Sequence, residues 1–135
     1  MRAMSRANVD LVRDVFEAWG DGDVRRAMSG LDADVEWQMA EDEPDARTLH
    51  GRAEVREMLG GWVESFEEFS STPRDFIDAG DHVIVPIAFV ARPHGGDASV
   101  TIEETQVYTV HRGSVVRVRE YRTKAEALKA VGLSG

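Results

Sequence analysis

Apolar side chains recur every three or four residues at the start of the chain, which is the spacing of an amphipathic α-helix. The pattern predicts a first helix over Asn8 to Trp19, which Gly20 to Gly22 ends. Asp23 then serves as the N-cap of a second, short helix over Val24 to Leu31. The same spacing predicts a third and longest helix over Gly51 to Phe69. Two helices therefore precede the first strand, and the longest helix follows it.

Alternating polar and apolar residues predict strands in the rest of the chain. In Val35 to Met39 the alternation places Val35, Trp37 and Met39 on one inner face. Four further strands are separated by short turn-forming stretches: Pro73 to Ala79, His82 to Arg92, Ser99 to His111 and Ser114 to Arg122. Their short connections make them an antiparallel meander, and a last helix over Thr123 to Val131 closes the chain.

This order of elements predicts an α+β fold, in which three N-terminal helices wrap a curved antiparallel β-sheet into a cone with an internal pocket. At 135 residues the chain is expected to form a single domain over residues 1–135 with one core. The longest apolar run, Val83 to Ala91, is about half of what a membrane-spanning helix needs. The first residues also lack the apolar segment of a secretion signal. We therefore expect a cytoplasmic protein that does not enter membranes.

The charge and the reactive side chains narrow the function further. A net charge of -9 argues against binding to nucleic acid, which requires a basic surface. The chain has no cysteine, which excludes disulfides and thiolate chemistry. Its four histidines, on predicted loops or strand ends, lack the spacing of a helical metal site: His50, His82, His94 and His111. We expect neither a metal nor a cofactor.

Four stretches, in order along the chain, resemble one family. Trp19 to Asp23 looks like its "G-D" break between the first two helices, and Leu31 to Trp37 looks like its "ADDVEW" entry to the first strand. Leu49 to Arg56 resembles its glycine-led start to the third helix. Val107 to Tyr121 is similar to the "V-W-T-x-R-D-G-K-I-V-R-x-R-E-Y" hairpin of SnoaL-like proteins.

The chain thus resembles the SnoaL-like proteins of the nuclear transport factor 2-like superfamily over nearly its whole length. The resemblance implies the helix-wrapped cone of a cystatin-like roll. It leaves the function open, because this fold hosts isomerases, cyclases, dehydratases, epoxide hydrolases, binding proteins and dimerisation modules.

The last hairpin decides which side chains face the pocket. If Arg112-Gly113 is a two-residue loop, His111 opposes Ser114, and the pairing continues to Val107 with Val118 and Thr105 with Glu120. The more apolar face would then hold Glu103, Thr105, Val107, Val116, Val118 and Glu120. The other face would hold Glu104, Gln106, Tyr108, Arg117, Arg119 and Tyr121.

We expect the first of these faces to line the pocket. The second face mixes aromatic and arginine side chains, as interfaces do, and is expected to form a sheet-to-sheet homodimer. A β-bulge in the hairpin would shift the parity by one residue and exchange Glu103 for Glu104.

A carboxylate among apolar neighbours has a raised pKa, which suits it to move protons near neutral pH. Glu120 is therefore the first catalytic candidate and Glu103 the second. The alternative for Glu120 is a surface ion pair with Arg117, Arg119 or Arg122. The alternative for Glu103 is a solvated position near the start of its strand.

The resemblance helps to choose among reactions. Arg119-Glu120-Tyr121 resembles the "R-D-Y" of limonene epoxide hydrolases, whose acidic residue is a catalytic acid, but the arginine and aspartate that act with it are not evident. The positions of the ketosteroid isomerase base, oxyanion tyrosine and protonated aspartate correspond to Trp37, Val15 and the neighbourhood of Thr105, which disfavours that mechanism. The SnoaL-like cyclases need one carboxylate for an aldol ring closure, and this chain offers one.

Candidates for the pocket wall are apolar or small side chains from the helices and strands: Val15, Trp19, Trp37, Met58, Trp62, Phe89, Thr105, Val107 and Val118. The aromatic members would suit a flat ligand, and each of them is also explained as ordinary core.

Three functions stay open. The first is a cofactor-free enzyme that isomerises or cyclises a small hydrophobic molecule, similar to a polyketide, steroid or terpenoid, with Glu120 as proton shuttle. The second is a non-catalytic binding protein, whose ligand affinity would survive replacement of Glu120 by Gln. The third is a dimerisation module whose cavity is filled by its own side chains and offers no ligand-sized pocket.

Overall fold

A computed structural model describes residues 2–40 and 46–133, with side chains described from residue 6. Its helices and strands follow the predicted order with two additional strands, one on each side of the third helix, and the strand predicted over Pro73 to Ala79 is shortened to Ile77–Ala79. In chain order they are α1 (Arg2–Gly20), α2 (Val24–Ser29), β1 (Leu31–Gln38), β2 (Thr48–His50), α3 (Gly51–Ser65), β3 (Phe66–Pro73), β4 (Ile77–Ala79), β5 (His82–Pro93), β6 (Val100–His111), β7 (Ser114–Tyr121) and α4 (Lys124–Ala130). None of these helices is both long and apolar enough to cross a membrane.

Within the described residues the strands form one curved, unclosed sheet in the order β2-β1-β7-β6-β5-β3, and β4 pairs with β5. All neighbouring strands are antiparallel except β1 and β7, which run parallel and place Trp37 beside Val118. The acidic loop predicted over Ala40 to Thr48 falls largely on residues 41–45, outside the described residues. The predicted α+β fold is confirmed.

Helices cover both faces of the sheet. Apolar residues of α1, α2 and α3, such as Val12, Met28 and Val55, pack with one face in the main core. On the opposite face α4 buries Ala127 and Leu128 against Ile84 and Val107 in a smaller core. Because β5 is covered on both faces, its sequence is apolar at consecutive positions rather than at alternate ones.

The hairpin between β6 and β7 turns as predicted. His111 pairs with Ser114, and Arg112 and Gly113 have φ of 51° and 76°, which is the left-handed conformation of a two-residue type I′ turn. Glycine adopts this conformation without steric cost, which explains the Gly at the second position.

The pairing predicted beyond this turn is wrong by one residue. The register shifts after Val110 pairs with Val115, so Val116 is left as a β-bulge and Thr109 pairs with Arg117. The bulge lets Val115 and Val118, three residues apart, both enter the main core. Its effect on β6 is that Glu104, Gln106 and Tyr108 face the helices, while Glu103, Thr105 and Val107 face away.

The other differences concern element boundaries. The third helix ends at Ser65 rather than Phe69, and β3 begins at Phe66. Strand β3 pairs with the edge of β5 from Phe66 to Pro73, so the backbone groups of β5 find partners that a longer helix would leave unpaired. The predicted N-cap of α2 is confirmed, because the Asp23 carboxylate accepts a hydrogen bond from the backbone N–H of Arg26 at 3.1 Å.

Candidate functional site

A small cavity lies between the helices and the concave face of the sheet. Its volume is about 50 Å³, and most of its lining is apolar. Among the residues that line it are Val15, Trp19, Trp37, Trp62, Phe69, Phe89, Gln106 and Tyr108. We call it the inner cavity. It has room for only a few non-hydrogen atoms, since one water molecule occupies about 30 Å³ in the liquid.

A second, larger cavity of about 580 Å³ adjoins the first, with which it shares Trp62, Phe69 and Phe89. We call it the outer cavity. Its aromatic wall continues through Phe66, which stacks on Phe69 with ring centroids 5.8 Å apart, while Phe69 stacks on Phe89 at 5.6 Å. Its volume lies in the range of small-molecule sites, which is about 300–1,000 Å³.

A third cavity of about 290 Å³ adjoins the outer cavity on its polar side, where both are lined by Ala40, Tyr121 and Arg122. Glu120 lines this third cavity, which we call the Glu120 recess. The outer cavity thus lies between an apolar chamber and a recess that contains a carboxylate. A ligand that filled the outer cavity and extended into the recess would contact the aromatic wall at one end and meet the Glu120 carboxylate at the other.

The Glu120 side chain is buried, and two donors among the described residues bind its carboxylate. Its relative exposure is 5%, and its Oε2 accepts a hydrogen bond from Trp37 Nε1 at 2.7 Å. Its Oε1 accepts a hydrogen bond from the Ala40 backbone N–H at 3.3 Å. Because Trp37 also lines the inner cavity, the indole connects that cavity to the carboxylate. The two donors fix the carboxylate in one orientation, which a proton-transferring group requires.

Three hydrogen-bonded side chains run along the inward face of β6. Tyr108 Oη donates to Gln106 Oε1 at 2.6 Å, and Gln106 Nε2 donates to Glu104 Oε1 at 3.4 Å. Burial raises the pKa of Tyr108 well above its usual range, and the charges of Glu104 and Glu120 raise it further. The phenol therefore stays neutral at physiological pH. Gln106 lies directly opposite Glu120 in the β6–β7 pair, so these three hydrogen-bonded side chains and the Glu120 carboxylate lie on one patch of the sheet.

The residues predicted for the pocket divide into three groups. Val15, Trp19 and Trp37 line the inner cavity, and Trp62 and Phe89 line both the inner and the outer cavity. Met58 and Val118 are buried in the main core beside the cavities.

Thr105 and Val107 contradict the prediction. They lie on the opposite face of the sheet because of the bulge at Val116, and Val107 packs on α4 there. Glu103, also on that face, stands at the rim of the outer cavity with its side chain 68% exposed and forms an ion pair of 3.0 Å with Arg74. This exposure gives no support to its predicted catalytic role.

Gln106 and Tyr108 are the site residues that the sequence-based prediction missed, because it placed them on the opposite face of the sheet. The sequence of α4 contained a signal for the correct orientation of β6. Its apolar Ala127 and Leu128 need apolar partners on that face, and Val107 supplies one when β6 is turned by one residue. Because Gln106 and Tyr108 face the helices, they cannot belong to the dimer interface predicted on the other face of the sheet. The homodimer itself stays a prediction.

No three histidine, aspartate or glutamate side chains of the described residues come together as a metal site requires. The fold and the cavities thus define a small α+β domain with a ligand-sized space on the concave face of its sheet. Residues 12–118 match the SnoaL-like domain family, and the chain belongs to that family. No relative was found among curated proteins.

Solved structures share the fold of this chain. A nuclear transport factor 2-like protein from Burkholderia xenovorans is 26% identical, with a TM-score of 0.72 over 94% of this chain and 97% of its own. A putative SnoaL-like polyketide cyclase from Mesorhizobium loti is 24% identical, with a TM-score of 0.65 over 83% and 96%. TerC, co-crystallised with polyporic acid, is 22% identical, with a TM-score of 0.76 over 93% and 98%.

Proposed function

We propose that this protein binds a small, largely apolar carbonyl compound in the outer cavity and transfers protons on it with Glu120. The observation that carries the proposal is the position of the outer cavity, which adjoins both the aromatic inner cavity and the Glu120 recess. The aromatic wall binds the apolar body of the ligand. The carbonyl end then reaches the carboxylate.

The chemistry follows from the environment of Glu120. A carboxylate can remove a proton from the carbon next to a carbonyl group, which leaves an enolate and a carboxylic acid. Return of the proton to another carbon completes an isomerisation. In an aldol reaction the enolate carbon instead attacks a second carbonyl and closes a ring, and the carboxylic acid returns its proton to the alkoxide oxygen that this attack forms. Both sequences balance with this carboxylate as the proton carrier. The likeness to a putative polyketide cyclase and to a protein co-crystallised with polyporic acid supports a substrate of the polyketide kind.

The proposal is tested by deuterium exchange, which reports proton removal whatever reaction follows it. The probe is 2-tetralone, a bicyclic ketone with one aromatic ring, incubated with the protein in D₂O while NMR follows the loss of its α-protons. The wild type should accelerate the exchange over buffer. Glu120→Gln should lower the protein-dependent rate by roughly 10²-fold or more, the usual contribution of a general base.

The matched control is Glu36→Gln, the same change at a partly exposed glutamate whose carboxylate lies 3.6 Å from Arg117. It should leave the exchange rate unchanged. Equal rates for the wild type and Glu120→Gln would contradict proton transfer by Glu120 and leave a protein that only binds its ligand.

A further inference from the structure

We infer that the inner cavity selects ligands that present a hydroxyl group, and that Tyr108 receives this hydroxyl as a hydrogen-bond acceptor. The inference names the substrate class of the same site and rests on the proposed binding in the outer cavity. It follows from the three side chains along β6, whose hydrogen bonds fix the direction in which the phenol of Tyr108 donates.

The amide of Gln106 has one orientation that satisfies both neighbours. Glu104 presents a carboxylate, which only accepts, so the NH₂ group of Gln106 must point toward it. The amide oxygen then lies 2.6 Å from Tyr108 Oη and accepts the phenolic proton. The opposite amide orientation would place its oxygen against the carboxylate of Glu104, where two acceptors repel each other.

The phenolic proton of Tyr108 is therefore committed to Gln106. Tyr108 is 3% exposed and stays neutral, so its oxygen offers only lone pairs to a group that enters the inner cavity. Any ligand atom that reaches this oxygen must donate a hydrogen bond. A carbonyl, ether or fluorine atom at the same place would face an acceptor and leave it unpaired.

A hydroxyl group fits the inner cavity in size as well as in polarity. The volume of about 50 Å³ excludes a ring but admits a hydroxyl and its carbon, while the body of the ligand stays in the outer cavity. The second N–H of Gln106, which also lines the cavity, can donate to the same hydroxyl oxygen. The site thus favours a flat molecule that carries a hydroxyl at its apolar end and a carbonyl toward Glu120.

Two ligands of nearly equal size test this selection. Equilibrium dialysis compares 2-naphthol with 2-fluoronaphthalene, whose fluorine cannot donate a hydrogen bond. The wild type should bind 2-naphthol about tenfold more tightly, the effect of one net hydrogen bond. Tyr108→Phe should abolish this preference.

Glu104→Gln keeps Tyr108 but no longer fixes the amide of Gln106, so the preference should fall several-fold there as well. Glu36→Gln serves as the matched surface control and should keep the wild-type ratio. Circular dichroism establishes that each variant is folded.

Equal binding of both ligands by the wild type, or a preference that persists in folded Tyr108→Phe and Glu104→Gln, would overturn the inference and leave the proposed function intact. If the wild type bound neither ligand, the binding on which both proposals rest would be contradicted. Exchange of 2-tetralone that depends on Glu120, together with equal binding of the two naphthalenes, would refute only the role assigned to Tyr108.

Discussion

Trp37→Ala should lower the free energy of unfolding by about 3–5 kcal/mol, the range for removal of a large aromatic side chain from a core. Trp37 is 5% exposed and packs edge-to-face against Tyr108 with ring centroids 6.4 Å apart. The substitution removes this packing and also takes a donor from the buried carboxylate of Glu120. Urea unfolding monitored by circular dichroism measures the change.

Trp62→Ala is the matched control, because Trp62 is only half-buried at the boundary of the inner and outer cavities. Its loss should be clearly smaller, since part of the indole already faces open space. If Trp62→Ala destabilised the protein as much as Trp37→Ala does, the deeper burial of Trp37 would not give it the larger contribution to stability that we expect.

Glu120→Leu should destabilise the fold although it places an apolar side chain in a buried position. The substitution leaves the Trp37 Nε1–H and the Ala40 backbone N–H without the acceptors that they have now. A buried donor that loses its partner costs about 1–3 kcal/mol, so the two together should lower the free energy of unfolding by at least about 2 kcal/mol.

Glu120→Gln separates this effect from the loss of charge. The amide oxygen can still accept from Trp37, so the loss should be smaller than for Glu120→Leu when both variants are compared by urea unfolding. A Glu120→Leu variant as stable as the wild type would mean that both N–H groups find other acceptors, and that the carboxylate does not organise this part of the sheet.

The order of helices and strands could be predicted from the sequence because each element has its own periodicity. The turn at Arg112-Gly113 and the N-cap at Asp23 also followed from local chemistry. The β-bulge at Val116 could not be predicted in this way, because Val115, Val116 and Val118 are all apolar and either parity of the strand buries valines. The end of α3 was misplaced because Phe66 and Phe69 fit the helical stripe, whereas pairing with the edge of β5 decides their conformation.

The candidate site was predictable to a similar extent. Alternation with Val118 placed Glu120 on the inward face of β7 from the sequence alone. Its contact with Trp37, 83 residues away, depends on the parallel pairing of β1 with β7, which no local sequence pattern predicts. The roles of Gln106 and Tyr108 were hidden for a related reason, since a single bulge decides which face of β6 meets the helices.

A crystal structure of the protein with 2-tetralone bound is the decisive test of the proposed function, because it shows where the ligand lies. We expect the aromatic ring to lie against Phe69 and Phe89 in the outer cavity, with the carbon next to the carbonyl facing the carboxylate of Glu120. A ligand bound elsewhere on the protein, or in the outer cavity with its carbonyl end turned away from Glu120, would refute the proposed function.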